Sequence, residues 1–242
     1  MKRGKGGFSM VKALREWLQA LEHLLLPPQA LCELCRERPA LDVGACRICL
    51  DSLSISWEKR TVQGYPYFSL FPYQGFGRSL IQSMKFEGRF EIAAALGFLL
   101  GLACREEPVL AGVDLLIPVP LAPARLKQRG FNQAALLADN IVGIWKRPIC
   151  SHIVRTRDTK PQSGLPLEER KRNLRRAFAV LPGCSFQGKT CLIVDDVITS
   201  GQTFFAIARL IEQYGGKPLG LFAARTEMFG SEEVAEELPG VQ

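Results

Sequence analysis

Histidine is nearly missing from this chain of 242 residues, which has only His23 and His152. Neither sits in a motif, so both read as structural or surface residues, and no histidine general base stands out. Long apolar runs are missing too. The longest, Ile92 to Cys104, lies between Glu91 and Arg105 and falls short of the ~18 residues that cross a bilayer, which makes it a buried helix. Lys2, Arg3 and Lys5 open the chain, but Lys12, Arg15, Glu16 and Glu22 interrupt the apolar residues after them, leaving no signal-peptide hydrophobic region. These absences predict a cytoplasmic protein with no membrane span. No internal repeat, no low-complexity tract and no G-x-x-x-x-G-K-[ST] phosphate loop is found.

The composition is otherwise that of an ordinary folded domain, with a hydrophobic fraction of 47% and a charged fraction of 23%. Lys plus Arg number 31 against 24 Asp plus Glu, a net charge of +7, so an anionic partner is compatible with the composition. Apolar residues recur at helical spacing from Phe8 to Leu26, ahead of Pro27-Pro28, and predict an amphipathic leading helix. Tyr65 to Gly88, rich in aromatics and glycines, has no sustained period and reads as a connection carrying short strands. Beyond Glu91, helices near 91–104, Phe131–Trp145 and Gly201–Tyr214 alternate with strands near Asp114–Val119, Thr190–Val194 and Leu219–Ala224. Further strands are expected near His152–Arg155 and Ala177–Val180, with a helix between them. That alternation predicts an α/β fold with a parallel sheet flanked by helices.

Eight cysteines in a chain of this length do not read as a disulfide framework. Cys32-Glu-Leu-Cys35 and Cys46-Arg-Ile-Cys49 form two C-x-x-C pairs separated by ten residues, so four thiolates could converge on one tetrahedral zinc ion. Four cysteines close the coordination shell, which makes such a zinc structural and the segment a small zinc ribbon. The alternatives are four buried free thiols or a redox pair, although neither pair follows a strand in a thioredoxin-like pattern. Cys104, Cys150, Cys184 and Cys191 are scattered in apolar surroundings and read as core residues.

The segment Thr190 to Thr203 passes from a buried strand through Asp195 and Asp196 into a hydroxyl-rich loop that opens a helix. In a parallel sheet, ligands bind beyond the carboxyl ends of the strands. There the free backbone N–H groups of a helix start, with Thr199, Ser200, Gly201, Gln202 and Thr203, can cradle a phosphate. Two adjacent carboxylates would repel a phosphate but accept hydrogen bonds from sugar hydroxyls, so the pattern points to a ribose 5-phosphate. The alternative is an acidic helix cap after a core strand.

Val194-Asp-Asp-Val-Ile-Thr-Ser-Gly-Gln-Thr203 resembles the phosphoribosyl diphosphate (PRPP) signature of type I phosphoribosyltransferases. With Tyr73-Gln-Gly, Lys85-Phe-Glu-Gly88, Ile117-Pro-Val-Pro120, Arg129-Gly-Phe-Asn-Gln133, and Gln162 through Glu169-Arg170, Asn173 and Ala177-Phe178, the chain resembles the ComF family. That family, which includes the bacterial GntX proteins, couples an N-terminal zinc ribbon to a phosphoribosyltransferase-like domain. The resemblance implies a zinc ribbon over 29–62 and the phosphoribosyltransferase-like domain over 63–226; outside it lie the leading helix read from spacing, over 1–28, and a solvated acidic tail over 227–242. It places Pro118, Val119 and Pro120 at the position of the pyrophosphate loop, though a stiff strand exit would use the same prolines. Lys85 and Arg129 are candidate pyrophosphate-binding cations, with an ion-paired or solvated surface role as the alternative.

The activity implied is displacement of pyrophosphate from C1 of PRPP, with Mg²⁺ bridging diphosphate and ribose oxygens. The acceptor is not implied. Relatives in the family are associated with natural competence, the uptake of single-stranded DNA. Arg155, Arg157, Lys160, Arg170, Lys171, Arg172, Arg175 and Arg176, against three acids in the same segment, hold most of the net charge and are candidates for nucleic-acid contact. A helix face with internal ion pairs is their alternative. Three functions stay open: an active phosphoribosyltransferase, a catalytically inactive single-stranded-DNA-handling factor, and a structural adaptor.

Overall fold

The strand that carries the two carboxylates lies inside a twisted sheet and is paired on both sides. The computed structural model describes residues 30–41, 44–156 and 177–226. The leading helix, the helix expected between 155 and 177, the acidic tail, and Arg157, Lys160, Arg170, Lys171, Arg172, Arg175 and Arg176 lie outside the described residues. Strands β1 (Glu58–Val62), β2 (Tyr65–Pro72), β3 (Leu115–Pro118), β6 (Thr190–Ile198) and β7 (Lys217–Arg225) form one sheet in the order β1-β2-β7-β6-β3. All neighbours are parallel except β1 and β2, an antiparallel hairpin. Its turn, Gln63-Gly64, has both φ angles positive, at 48° and 84°, as a two-residue hairpin turn requires.

The parallel α/β architecture expected from the sequence is therefore present, with two differences. β4 (Ile153–Arg155) and β5 (Phe178–Val180) do not join the main sheet but pair with each other as a separate antiparallel pair. β1, grouped with the cysteine segment by the sequence reading, is the edge strand of the main sheet. The stretch read as a connection carries β2 and then a helix, α2 (Gly75–Phe86). Gly75, Gly77 and Ser79 obscure the helical period of its buried face, Gly77, Leu80, Ile81 and Met84. Gly77 is needed there, because an added Cβ would lie 2.7 Å from the Phe71 ring.

A short helix, α1 (Arg47–Ser52), starts inside the second cysteine pair. α3 (Phe90–Glu106) and α5 (Gln133–Ile144) join α2 over one face of the sheet, burying Leu80, Ile92, Leu96, Leu100, Leu137 and Ile141 with Leu192 and Val194. Cys32, Leu34, Cys46, Cys49 and Leu53 belong to the same core, so the cysteine segment packs onto the domain. α4 (Pro123–Arg129) is a short helix after β3. On the other face α6 (Gln202–Gln213) buries Phe204, Ile207 and Ile211 against Ile193 and Phe222, alongside Ile153 and Phe178.

Candidate functional site

The pairing registers explain why the carboxylates stand beyond the end of β3. β6 pairs with β3 only as far as Val194 opposite Pro118, whereas it pairs with β7 as far as Ile198 opposite Arg225. Asp195 and Asp196 therefore lie in the strand but past the end of β3, rather than after a strand ending at Val194. Asp195 is half-buried and accepts a 2.9 Å hydrogen bond from the backbone N–H of Asp196. Asp196 is buried, and its Oδ1 lies 2.8 Å from Lys85 Nζ at the end of α2. Burial, and then the charge of Asp196, push Asp195 up to about 7 from the ordinary 3.8, with Lys85 and Arg129 opposing that rise. Burial likewise pulls the half-buried Arg129 guanidinium down, and the carboxylate of Asp196 opposes it. Both expected diphosphate cations thus face the expected ribose acceptors.

The segment expected to cradle a phosphate follows directly. Thr199 and Ser200 are exposed, Gly201 takes a left-handed φ of 63°, and Gln202 and Thr203 open α6. Among the described residues no side chain caps this end, so the N–H groups of the first turn can meet an anion. Pro118, Val119 and Pro120 lie beside Val194 of β6, and they offer no free backbone donor. Proline has no N–H, and the Val119 N–H donates to the Val194 carbonyl at 2.9 Å. The Val119 carbonyl accepts from Asn132 Nδ2 at 2.9 Å. The three residues set the direction of the strand exit.

Two neighbours of this exit have no site role in the sequence reading. Asn132 caps α5 by accepting from the Ala134 N–H at 3.0 Å while it holds Val119. Gln133 is buried, and its Nε2 has no hydrogen-bond partner among the described residues. Both sit in the Arg129-Gly-Phe-Asn-Gln133 motif, which is the signal that could have found them. Aromatics gather at the same rim. Arg129 lies 5.2 Å from the Phe86 ring centroid, and Phe90 meets Phe131 edge-on at 4.6 Å.

The four knuckle cysteines do converge. The ligand atoms of Cys32, Cys35, Cys46 and Cys49 all lie within 4.8 Å of one another, with Cys35 Sγ 3.9 Å from Cys46 Sγ. A tetrahedral zinc with ~2.3 Å bonds to sulfur has sulfur–sulfur edges of about 3.8 Å, so the donor set could hold zinc. The backbone tightens around the sulfurs, with the Arg36 N–H on the Cys32 carbonyl and the Cys46 N–H on Cys32 Sγ at 3.2 Å. Burial pushes the Cys35 thiol up, but the N–H groups of Glu37 and Arg38 outweigh it and hold the thiol down at about 6. Burial raises Cys49 well above the ordinary thiol value. Arg89 anchors the first knuckle to the domain by donating to the Glu33 and Leu34 carbonyls.

Arg155 is the one candidate nucleic-acid residue within the described part, and it stacks over the Phe178 ring at 5.6 Å from its centroid. Of the four remaining cysteines, Cys104 and Cys191 are fully buried core residues as expected. Cys150 and Cys184 are not scattered, since their sulfurs lie 2.9 Å apart.

The phosphoribosyl transferase domain family matches residues 154–227. Competence protein F of Haemophilus influenzae is 34% identical over 165 residues, spanning 66% of this chain and 69% of that protein. DNA utilization protein YhgH of Escherichia coli (strain K12) is 40% identical over 144 residues, 56% of this chain and 61% of that protein, so the match spans less than two thirds of its length. Competence protein ComFC of Bacillus subtilis is 27% identical over 193 residues, 76% of this chain and 72% of that protein. Among solved structures, adenine phosphoribosyltransferase from Leishmania donovani is similar with a TM-score of 0.41 and 12% identity, over 70% of this chain and 87% of that one.

Proposed function

Since this chain belongs to the ComF family, we propose that it binds PRPP with Mg²⁺ at the edge where Asp195 and Asp196 meet the first turn of α6, and that it serves the uptake or use of DNA. The observation that carries the reading is the juxtaposition of an acidic pair, an uncapped helix start and two cations at one end of a parallel sheet. The 5-phosphate is held by the N–H groups that open α6 and by the Thr199 and Ser200 hydroxyls. Asp195 and Asp196 accept from the ribose hydroxyls, and Arg129 and Lys85 face the diphosphate.

The hard oxygen donors of two carboxylates suit Mg²⁺, which when bound neutralises diphosphate charge and favours its departure. Lys85 need not abandon Asp196 for this, because an ammonium has three donors and can bridge a carboxylate and a phosphate. Pro118, Val119, Pro120 and Asn132 fix the strand exit against which the diphosphate lies. The reaction class is pentosyl transfer from PRPP to an acceptor. Cys32, Cys35, Cys46 and Cys49 hold a structural zinc whose knuckles brace α3 through Arg89.

Thermal unfolding of the full chain tests the reading. PRPP with Mg²⁺ at 100 times its dissociation constant stabilises by about 2.7 kcal/mol, a rise of several degrees, and pyrophosphate without the ribose gives a smaller one. An unchanged midpoint at millimolar Mg–PRPP would overturn it.

A second reading, single-stranded DNA held without catalysis, is favoured by the aromatic rim. Phe86 and Phe90 are 72% and 52% exposed, and Arg129 over Phe86 makes the kind of cationic stacking platform that bases use. Oligonucleotide affinity that is lost in Phe86→Ala but indifferent to PRPP would support it.

A further inference from the structure

We propose that Cys150, His152 and Cys184 form a second metal site, for a thiophilic ion such as Zn²⁺, separate from the four-cysteine cluster and from the PRPP-type site. Cys184 comes from a segment far in sequence from the other two donors, and the three ligand atoms all lie within 4.8 Å of one another. Cys150 Sγ is 2.9 Å from Cys184 Sγ and 3.7 Å from His152 Nδ1. With zinc bonds of about 2.3 Å to sulfur and 2.0–2.1 Å to nitrogen, a tetrahedral sulfur–nitrogen edge is about 3.6 Å, close to the observed separation. The sulfur–sulfur edge would be about 3.8 Å, so the thiols must part by roughly 0.9 Å. Cys184, half-buried after the exposed Gly183, is the less enclosed of the two thiols and the one with room to move.

The donors are held by backbone rather than by chance contact. The Cys150 N–H donates to the Leu116 carbonyl of β3 at 2.8 Å. The Leu181 N–H donates to the His152 carbonyl at 2.7 Å, tying the Cys184 segment to the β4 segment. Cys150 is buried, whereas His152 and Cys184 are half-buried, which leaves an entry path and a fourth position for water. Cys191, nearby, is fully buried and directs its Sγ to the Lys189 carbonyl at 3.8 Å.

Charge decides for a divalent cation. Two thiols give up two protons as the ion binds, and two thiolates with a neutral imidazole make an uncharged complex, the form that burial tolerates. A disulfide between the same thiols would use neither the imidazole nor the opening beside it. The ion would clasp the Ile153–Val180 end of the β4–β5 pair to the segment leading into β6.

The test is metal stoichiometry on the full chain, purified with zinc and dialysed, by inductively coupled plasma mass spectrometry. Two zinc ions per chain are expected in the wild type and one in Cys184→Ser and in His152→Ala, with unchanged far-ultraviolet circular dichroism. Cobalt substitution gives a readout independent of zinc retention: the second equivalent adds a thiolate-to-cobalt charge-transfer band, which Cys184→Ser abolishes. One zinc in the wild type with Cys150 and Cys184 alkylated by iodoacetamide overturns the proposal. So does a Cys150–Cys184 disulfide in the non-reduced peptide map, or two zinc ions retained in both variants. None of these outcomes depends on PRPP binding.

Discussion

Lys85 Nζ lies 2.8 Å from Asp196 Oδ1, joining the last turn of α2 to the carboxylate strand. The pair sits between α2 and β6, with the Lys85 side chain 21% exposed and that of Asp196 7% exposed. Its geometry couples the stability of the fold to the charge of the site.

Lys85→Met leaves a buried carboxylate without its cation. Breaking such a pair costs several kcal/mol when fully buried, and partial exposure of Lys85 reduces this to about 1–3 kcal/mol here. Urea unfolding at pH 7.5 measures the loss. Lys85→Met with Asp196→Asn should recover most of it, because the orphaned charge is gone, whereas additive losses would contradict a direct pair.

Asp195 gives a pH dependence of defined sign. Its folded-state value is raised, from 3.8 to about 7, so the folded state holds a proton that the unfolded chain has released. Stability therefore falls as pH rises from about 4 to about 7, and it is flat in this respect on either side. Asp195→Asn removes that slope and is stabilising relative to the wild type at pH 8 but not at pH 4. Because an ionised carboxylate accepts more strongly from sugar hydroxyls than a protonated one, PRPP affinity should rise over the same window. Parallel unfolding curves at several pH values would contradict the assignment.

Metal removal reaches beyond the cysteine segment. Cys32, Cys46 and Cys49 share a core with Phe68, Phe71 and Ile92, so chelation by EDTA should lower the unfolding midpoint of the whole domain rather than release an independent knuckle. Thermal melts followed by circular dichroism should show one transition shifted down by several degrees. A main transition that does not move with chelator would contradict this packing.

The contact between α3 and α5 requires glycine. A Cβ on Gly97 would lie 2.5 Å from Asn140 Cβ and 3.0 Å from the Leu137 carbonyl, and one on Gly101 would lie 2.9 Å from Ile144 Cβ. Gly97→Ala should destabilise by about 1–3 kcal/mol despite its gain in helix propensity, measured by denaturant unfolding. A stabilised variant would mean that the helices can separate at no cost.

Local features were legible and non-local ones were not. β6, the loop and α6 could be read because an apolar run, two carboxylates, a glycine and a helical period succeed one another without a break. The two C-x-x-C pairs were legible for the same reason. α2 was missed because Gly75 and Gly77, the second needed for a close approach to Phe71, mask its period. β4 and β5 were expected as strands, but three residues each carry no information about which partner they take. Lys85 and Asp196 were named for separate roles, and only the fold shows that they pair. Cys150 and Cys184 read as isolated core residues because the contact between them is made by the β4–β5 pairing and the turn after it.

The most direct test of the central claim is isothermal titration of Mg–PRPP into the wild type and into Asp195→Asn/Asp196→Asn at matched zinc content. The account predicts saturable binding to the wild type and an affinity at least tenfold weaker, about 1.4 kcal/mol or more, in the double variant. Heats from the wild type no different from dilution, or equal affinity in the two proteins, would contradict it.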